Sequence, residues 1–586
     1  MIKLFKYLNR RDWCFAAISL AFIVAQVWLD LKLPDYMSEI TTLVQTQGSA
    51  MGDILIAGGY MLLCALGSLA ATVIVGYFVA KIAAGLAMRL REAVYDKTMS
   101  FSMEEIGHFS TASLITRSTN DITQIQTFVA LGLQALVKSP ILAVWAIVKI
   151  SGKNWQWSLT TGVAVFVLLV VILTTVSITL PKFTKIQRLT DDLNRVAREN
   201  LTGIRVVRAY NAEQYQEDKF EAANDTLTRT NVFANRATSM LRPAMRLLMS
   251  GLTLAIYWIG AYLINGAVMG NKLGIFSDMV VYSSYAMQIL MAFMMLTMTF
   301  IILPRASVAA KRIKEVLDTE SKIQDGTGKP VNANCVGEVE FQNVSFKYPD
   351  AAEYVLHDVS FKANKGETVA FIGSTGSGKS TLINLVPRFY DATEGQVLID
   401  GVDVRDYKQE ALRDKLGYVP QRAVLFSGTV RSNVGYGENG KTITTDDVTD
   451  AVYIAQASEF VEAMEGGYDA RIAQGGSNVS GGQKQRLSIA RAVCRHPEIY
   501  VFDDSFSALD YRTDRVLRTA LKKETAGVTS LIVAQRIGTI MDADRIIVLD
   551  EGRVVGNGTH KELLNSCAVY REIAESQLTK EEIDHA

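Results

Sequence analysis

The chain has 586 residues, 49% of them hydrophobic and 20% charged, and its 60 Lys and Arg residues balance 60 Asp and Glu residues. This composition excludes a disordered or collagen-like chain, and five scattered cysteines without a CxxC pair argue against a disulfide framework or a structural zinc site. The zero net charge is the sum of two unlike halves of the chain, since residues 1–320 carry net +8 and residues 321–586 carry net −8.

The first half contains several long uncharged stretches. A bilayer is crossed by about 20 mostly apolar residues, and five such runs within 300 residues are hard to explain as buried core helices. Lys138 and Pro140 interrupt a sixth, weaker run. The pattern therefore predicts a polytopic α-helical membrane domain over 1–320, with spans at 13–29, 54–80, 127–148, 157–180, 247–270 and 279–304.

Two long loops separate these spans, and both are basic. Residues 81–126 carry five Lys and Arg residues and residues 181–246 carry twelve, whereas the other connections carry few. Because basic loops stay on the cytoplasmic side, we expect the N-terminus and both loops to lie in the cytoplasm. Their helical periodicity indicates that the spans extend into the cytoplasm as long arms.

The last span is rich in methionine. Methionine is flexible and is over-used on surfaces that accept varied ligands, but an ordinary lipid-facing or packed apolar helix is the simpler interpretation, and the ligand-binding one stays open as the alternative. Apart from Lys138 no uncompensated acid or base lies deep inside a predicted span, so we expect no proton relay or ion pathway. The methionines are Met279, Met287, Met291, Met294, Met295 and Met298.

A polar segment rich in glycine and asparagine, residues 321–336, predicts a linker. Beyond it short β-rich runs alternate with helices, which is typical of an α/β domain. We expect this domain to span 337–575 and to be followed by a polar tail over 576–586.

An apolar strand ending at Ile372 runs into a glycine-rich loop and then into a helix. Glycines let successive backbone N–H groups turn toward a phosphate, and the helix N-terminus adds partial positive charge. Lys379 is expected to reach the β- and γ-phosphates of ATP, and the Ser380 hydroxyl to bind Mg²⁺. The predicted ATP-binding residues of this loop are Gly373, Ser374, Thr375, Gly376, Ser377, Gly378, Lys379, Ser380 and Thr381.

A second apolar strand, residues 499–503, ends in Asp503. A strand that delivers a carboxylate beside a phosphate loop holds the magnesium shell in such enzymes. The position about 120 residues downstream of the loop predicts that Asp503 is a magnesium ligand.

The segment Ser480-Gly481-Gly482-Gln483, followed by KQRLSIARA, resembles the signature sequence of ATP-binding cassette (ABC) proteins. Six spans, long cytoplasmic loops and a C-terminal cassette resemble the exporter branch of that family, over essentially the whole chain. The resemblance implies ATP-driven transport by alternating access. It also implies two cassettes that close head to tail, so that each ATP lies between one chain's phosphate loop and the other chain's signature.

Three further positions take their roles from this resemblance alone. Tyr348 corresponds to the aromatic residue that stacks on adenine. Gln421 corresponds to the glutamine that senses the γ-phosphate and joins the magnesium shell, and Asp510 to the aspartate of the D-loop.

The chain departs from the family pattern at catalytic positions. The residue after the magnesium aspartate is usually a glutamate, and here it is Asp504. The aspartate side chain is shorter by one methylene, so its carboxylate lies about 1.5 Å further from the attacking water, and this matters because catalysis of phosphoryl transfer depends on positioning. The switch histidine is replaced by Gln535, which cannot carry the charge of a protonated imidazole. Ala473-Gln474 precedes the signature where exporters often have a glutamate.

In combining these departures with an intact signature, the chain resembles one half of a heterodimeric bacterial multidrug exporter. The site built on Lys379, Asp503 and Asp504 is expected to be degenerate, while the intact signature completes a competent site on a second half-transporter that has the catalytic glutamate and the switch histidine. A homodimer with two slow sites is the alternative. A lipid or peptide translocator, an importer on the exporter fold, and a nonenzymatic channel or regulator also stay open, whereas the spans exclude a soluble cassette ATPase.

Overall fold

The computed structural model describes residues 2–46, 48–151, 154–268, 271–328, 336–349, 351–437, 440, 442–524 and 526–579. The chain divides into two compact units, one of residues 1–99 and 111–319 and the other of residues 100–110 and 320–586. Parts of the predicted linker and tail, residues 329–335 and 580–586, lie outside the described residues.

Six helices in the described part of the chain are long and apolar enough to cross a membrane, which confirms the predicted membrane domain. Each predicted stretch lies within one of them, except that the stretch 247–270 runs past Gly266, where its helix ends. The chain is therefore a multi-pass membrane protein. The helices are α1 (Arg10–Gln45), α2 (Met51–Met99), the composite helix Thr111–Ser151, α7 (Trp155–Thr202), the composite helix Glu213–Gly266 and α11 (Lys272–Asp318).

The two composite helices contain irregular turns. Thr111–Ser151 joins α4 (Thr111–Thr116), α5 (Ile122–Thr127) and α6 (Leu133–Ser151) through π-helical turns at Arg117–Asp121 and Phe128–Gly132. Glu213–Gly266 consists of α9 (Glu213–Ser239) and α10 (Leu241–Gly266), and the short α8 (Ile204–Ala209) precedes it. Since α7 runs 22 residues beyond the predicted end of its span, it extends about 33 Å further.

The prediction that Lys138 is an unpaired base inside a span is wrong. Its Nζ lies 3.4 Å from Oδ2 of Asp30, which follows the predicted end of the first span by one residue. Helix α1 continues through Pro34 to Gln45 and so carries Asp30 alongside α6. The chain compensates this charge with a residue 108 positions away.

The largest buried apolar cluster described in the first unit joins residues of α1, α6, α7, α10 and α11. The Trp157 indole N–H donates to the Ile256 carbonyl at 3.2 Å and is buried against the Tyr282 ring. Gly260 lets α11 approach closely, because a Cβ at this position would lie 2.3 Å from the Met279 sulfur. One of the six methionines therefore serves packing.

The second unit is built on three sheets. Five strands of the six-stranded sheet, in the order β11-β3-β10-β9-β6, run parallel, and β12 pairs antiparallel at the β11 edge. A four-stranded sheet has the antiparallel order β2-β1-β4-β5, and β7 pairs with β8. The strands are β1 (Val339–Phe346), β2 (Leu356–Ala363), β3 (Thr368–Gly373), β4 (Glu394–Ile399), β5 (Val402–Asp403), β6 (Leu416–Val419), β7 (Gly428–Thr429), β8 (Arg471–Ile472), β9 (Ile499–Asp503), β10 (Thr529–Val533), β11 (Arg545–Asp550) and β12 (Arg553–Gly558).

Helices flank these sheets, and three buried apolar clusters among the described residues hold the layers together. The chain's alternation of apolar strands and capped helices produces this arrangement, which confirms the predicted α/β cassette fold. The helices are α12 (Lys379–Asn384), α13 (Gln409–Asp414), α14 (Val430–Val434), α15 (Thr445–Ile454), α16 (Ser458–Ala463), α17 (Gly481–Cys494), α18 (Tyr511–Glu524), α19 (Ile537–Ile540), α20 (His560–Ser566) and α21 (Ala568–Gln577).

One helix of the first long loop, α3 (Met103–Phe109), belongs to the second unit. Ser102 caps it, and Glu105 completes the capping box. The Glu105 carboxylate also accepts the backbone N–H of Lys322 at 3.2 Å. The Ser-x-x-Glu spacing indicates such a helix start, but it was not singled out in the sequence.

Candidate nucleotide site

Three neighbouring parallel strands deliver the candidate residues to one edge of the sheet. The phosphate loop follows β3, Asp503 ends β9, and Gln535 lies two residues beyond β10. Ligands of open α/β sheets bind at this carboxyl edge. The topology therefore brings together residues that are up to 160 positions apart.

The phosphate loop has the backbone conformation of an anion cradle. Gly376 has φ +87° and Gly378 has φ +93°, a left-handed region that favours glycine. Helix α12 begins at Lys379, immediately after the second of them. Although α12 is short, its first N–H groups continue the row of donors along the loop.

The Lys379 ammonium lies inside this cradle and is only 8% exposed. It donates to the carbonyls of Gly373 at 2.8 Å and Ser374 at 2.7 Å and to the Ser377 hydroxyl at 3.2 Å. Burial lowers the pKa of this amine. This buried cation bonds only neutral groups in the loop, with the Asp504 and Asp503 carboxylates near it, so it is suited to contact a phosphate group.

Ser380 and Asp503 form the candidate magnesium ligands. The Ser380 hydroxyl donates to Oδ1 of Asp503 at 2.8 Å, and burial raises the pKa of that carboxyl group. Hydroxyl and carboxylate oxygens are ligands that Mg²⁺ accepts, so this pair fits the ion. A bound Mg²⁺ would neutralise phosphate charge and favour the ionised form of Asp503.

Asp504 lies beside them in a constrained position. Its backbone has φ +46°, and its N–H donates to the Val533 carbonyl at 3.0 Å. One carboxylate oxygen, Oδ2, accepts the amide N–H of Gln535 at 2.9 Å and that of Gln421 at 3.4 Å. Burial raises the pKa of Asp504 as well. The carboxylate is thus engaged by two side-chain amides.

Tyr348 reaches the same loop from the four-stranded sheet. Its hydroxyl lies 3.1 Å from the Thr381 hydroxyl, and its ring packs edge-on against Phe346 and Tyr390. The aromatic residue is therefore adjacent to the phosphate loop, where the resemblance places an adenine ring. Thr375 belongs to the loop, but its contacts add nothing to this geometry.

The signature lies apart from these residues. Ser480 caps α17, its hydroxyl accepts the Gln483 N–H at 3.3 Å, and Gly481 is exposed while Gly482 is half-buried. Asp510 accepts the Thr513 N–H at 3.0 Å. Within the described residues no hydrogen bond joins the signature to the phosphate loop, so its exposed helix N-terminus remains available to another ligand.

Two serines that sequence reasoning missed hold the catalytic segment. The Ser507 hydroxyl donates to the Asp504 carbonyl at 2.9 Å, and the Ser505 hydroxyl donates to the Val419 carbonyl at 3.1 Å. Ser505 bonds a carbonyl at the end of β6, a distant strand, and Ser507 bonds a carbonyl three residues before it, and the sequence alone does not single out either serine.

Gly378→Ala is expected to raise the Kd for ATP at least tenfold. The left-handed backbone costs a side chain about 1–2 kcal/mol. A Cβ here would also lie 2.7 Å from Leu356 and 3.0 Å from the Val355 carbonyl. Titration of the purified chain with a fluorescent ATP analogue measures the effect. Gly376→Ala is the control, because its Cβ meets nothing within 4 Å, and an equal loss there would contradict the collision argument.

Comparison with known proteins agrees with these features. The ABC transporter family matches residues 356–507, and the ABC transporter transmembrane region matches residues 16–293. An uncharacterized ABC transporter ATP-binding protein of Mycobacterium tuberculosis is 40% identical over 558 residues, covering 92% of this chain and 93% of that protein.

Two further similarities bear on the type of transporter. An ATP-dependent lipid A-core flippase of Pseudomonas savastanoi pv. phaseolicola is 31% identical, covering 85% of this chain and 81% of the flippase. A solved structure of a bacterial Atm1-family ABC exporter with ATP bound superimposes with a TM-score of 0.82 at 26% identity, covering 98% of this chain and 100% of that one.

Proposed function

Since the chain belongs to the ABC transporter family, as an exporter-type half-transporter with a membrane domain fused to a nucleotide-binding domain, we propose a function within that family. In this proposal the chain works as the catalytically weaker half of a heterodimer. Membership implies ATP hydrolysis coupled to transport. The proposed cargo is a hydrophobic or amphipathic compound of the multidrug type, exported across the cell membrane. In this arrangement the N-terminus and the nucleotide-binding domain are cytoplasmic, which agrees with the basic loops.

The geometry of Asp504 carries this proposal. Hydrolysis needs a carboxylate free to orient the attacking water, but Oδ2 of Asp504 accepts the amides of Gln535 and Gln421. The aspartate side chain is one methylene shorter than the usual glutamate, and Gln535 has no protonated form. ATP binding through Lys379, Ser380 and Asp503 is retained under this proposal, and turnover is slow.

The exposed signature supports the other half of the proposal. Helix α17 presents Ser480 and Gly481 to solvent, with the helix N-terminus beneath them. Such an end stabilises phosphate charge through N–H donors and the helix dipole. In a head-to-tail pair this surface completes the second chain's site, which is where most hydrolysis takes place.

The proposed pair works by alternating access, with two ATP sites of unequal activity. ATP closes the two cassettes, loops 81–126 and 181–246 transmit the closure to the spans, and the cavity opens outward. Hydrolysis at the competent site resets the pair. Slow turnover at the site of Lys379 keeps the cassettes partly in contact between cycles.

An amphipathic cargo is supported by a groove between α10 and α11. Its volume is about 430 Å³, and its lining combines two methionines with hydroxyl groups. A lipid is a second candidate within this class, favoured by the similarity to the lipid A-core flippase. The lining residues are Met249, Ser250, Thr253, Leu254, Tyr257 and Met287.

Purification of the chain alone and together with the half-transporter encoded beside its gene tests the proposal. The isolated chain is expected to bind ATP and to hydrolyse it at least tenfold more slowly than the pair, because every site it can form alone carries the misplaced Asp504 carboxylate, whereas the pair has one competent site. ATPase rate and uptake of a hydrophobic dye into inverted vesicles are the measurements. Robust hydrolysis and transport by the isolated chain would show a homodimer instead.

A further inference from the structure

Polar side chains of α1 contact polar side chains of neighbouring helices inside the membrane domain. Asp30 accepts the Ser68 hydroxyl of α2 and faces Lys138 of α6, whose Nζ lies 3.4 Å away. Lys138 precedes Lys149 by eleven residues, about 17 Å along the helix. Since the hydrocarbon core is about 30 Å thick, the pair lies near its middle if Lys149 marks the boundary.

A proline in α1 explains why this position is polar. Pro34 has no N–H, so the carbonyl of Asp30, four residues earlier, loses its helical donor. The Gln288 amide of α11 donates to that carbonyl at 3.3 Å. The Tyr285 hydroxyl of α11 lies 2.5 Å from Oδ1 of Asp35 and 3.0 Å from the Leu31 carbonyl, and its one hydrogen can serve either acceptor. A side chain of α11 thus satisfies the freed carbonyl, which the bilayer could not.

Two buried amide oxygens of this region have no hydrogen-bond donor among the residues that the structure describes. The Gln26 amide donates to Thr72 at 2.6 Å, but its oxygen has no hydrogen-bond partner although the residue is only 4% exposed. The oxygen of Gln288 is also buried and without a partner. Buried acceptors are normally satisfied, so these two oxygens indicate a ligand that brings N–H or O–H donors.

The charged side chains of the region indicate which charges the ligand carries. The Asp30 and Lys138 side chains are 26% and 15% exposed, so neither is sealed off. Their 3.4 Å separation exceeds the 2.7–2.9 Å of a tight charge-assisted hydrogen bond, so other partners can compete for both groups. The next charges along α1 and α6 form a separate group, in which Asp35 lies 2.7 Å from Lys149 and 3.9 Å from the more exposed Lys32. A ligand with net charge would leave one charge unbalanced in a low-dielectric interior.

We propose that Asp30, Lys138, Gln26 and Gln288 bind the polar head of a zwitterionic amphiphile whose primary ammonium group supplies N–H donors. The ammonium contacts Asp30 and the free amide oxygens, and the anionic group contacts Lys138. This inference deepens the proposed function, because it rests on an amphipathic cargo and specifies its head group.

Head-group binding to the full transporter, without nucleotide and in uncharged maltoside micelles, tests the assignment. The probes are amphiphiles with one fluorescent tail and four heads, namely phosphoethanolamine, phosphocholine, phosphate and a primary amine. Phosphoethanolamine is expected to bind at least tenfold more tightly than the phosphate or the amine. It is also expected to exceed phosphocholine, which is zwitterionic but has no N–H donors.

Single-charge variants are expected to change the preference in opposite directions. Asp30→Asn leaves Lys138 unpaired and should favour the phosphate probe, whereas Lys138→Gln should favour the amine probe, each by about tenfold. The double variant Asp30→Asn with Lys138→Gln should lose charge preference. If the single variants weaken all four probes equally, or if the wild type binds all heads alike, the pair is a structural ion pair and the proposal is wrong.

Gln26→Leu gives a test that keeps every charge and suits a membrane helix, should a charge variant fail to fold. It is expected to remove the advantage of phosphoethanolamine over phosphocholine, and an unchanged ratio would overturn the role of the amide oxygens. The assay contains no ATP, so hydrolysis by an isolated chain would refute the heterodimer and leave these results standing. Lost head-group selectivity with normal ATPase asymmetry would refute this site alone.

Discussion

Arginine in place of Ser480 is expected to reduce ATP hydrolysis by the assembled transporter at least 100-fold, whereas methionine in place of Lys379 should leave most of it. Ser480 caps the exposed N-terminus of α17, which in the proposed pair contacts the nucleotide on the second chain's phosphate loop. Removing a single donor that stabilises transition-state charge costs about 10²–10³ in rate. An arginine side chain also fills the space that the nucleotide needs.

Lys379→Met acts on the other site. It removes the ammonium that lies among the carbonyls of Gly373 and Ser374, so this chain's own site should lose ATP. Because that site contributes little turnover under the proposal, the steady-state ATPase rate should fall less than about threefold. Loss of one bound nucleotide per transporter, measured with a radiolabelled ATP, confirms that the variant acts as intended.

Ser576→Arg provides the matched control, since it places the same charge on an exposed serine of α21, outside the nucleotide motifs. Its ATPase rate should equal that of the wild type. Equal losses for Ser480→Arg and Lys379→Met would mean that the two sites contribute equally, and the asymmetric arrangement would then be wrong.

Local patterns made the fold predictable from the sequence. Uncharged runs of 17 residues or more mark spans because burial of charge in a bilayer is costly, and a strand followed by Gly-x-x-Gly-x-Gly-Lys can form few structures other than a phosphate cradle. The predicted ATP-binding residues Gly373–Thr381 accordingly lie in one loop and the first turn of α12, with Asp503 beside them.

Contacts between distant segments were not predictable in the same way. The partner of Lys138 is Asp30, and it is visible only once α1 is known to continue through Pro34 rather than to end at the last apolar residue. Proline and nearby charges normally mark the end of a span in sequence. Here a neighbouring helix satisfies the freed carbonyl, so the helix continues, and a one-dimensional pattern contains no information about that compensation.

The departures from the family pattern at the catalytic positions were predictable only in part. Asp504 and Gln535 are visible in the sequence only by comparison with a family pattern, and the sequence does not show that their side chains meet. The structure places the Gln535 amide 2.9 Å from Oδ2 of Asp504. The two changes are therefore coupled, and their effects on turnover should not be additive.

Asp504→Glu combined with Gln535→His is expected to raise turnover at this chain's own site at least tenfold. The added methylene extends the carboxylate by about 1.5 Å toward the attacking water, and imidazole removes the amide that occupies Oδ2 and can carry positive charge near the γ-phosphate. A positioned general base contributes typically 10²–10⁴-fold, so a tenfold gain is a modest expectation. Asp504→Glu alone should give part of the gain, because Gln535 could still bond the longer side chain.

The measurement needs a background in which the other site is silent. Transporter that carries Ser480→Arg provides it, since the remaining hydrolysis then depends on Lys379, Asp503 and residue 504 of this chain. ATPase rates of the single and double variants are compared there, and adding Lys379→Met should return the rate to background. If the double variant shows no gain while its ATP binding is intact, these two positions do not limit turnover, and the cause of slow hydrolysis would have to lie elsewhere in this site, for example in the signature that the second chain supplies to it.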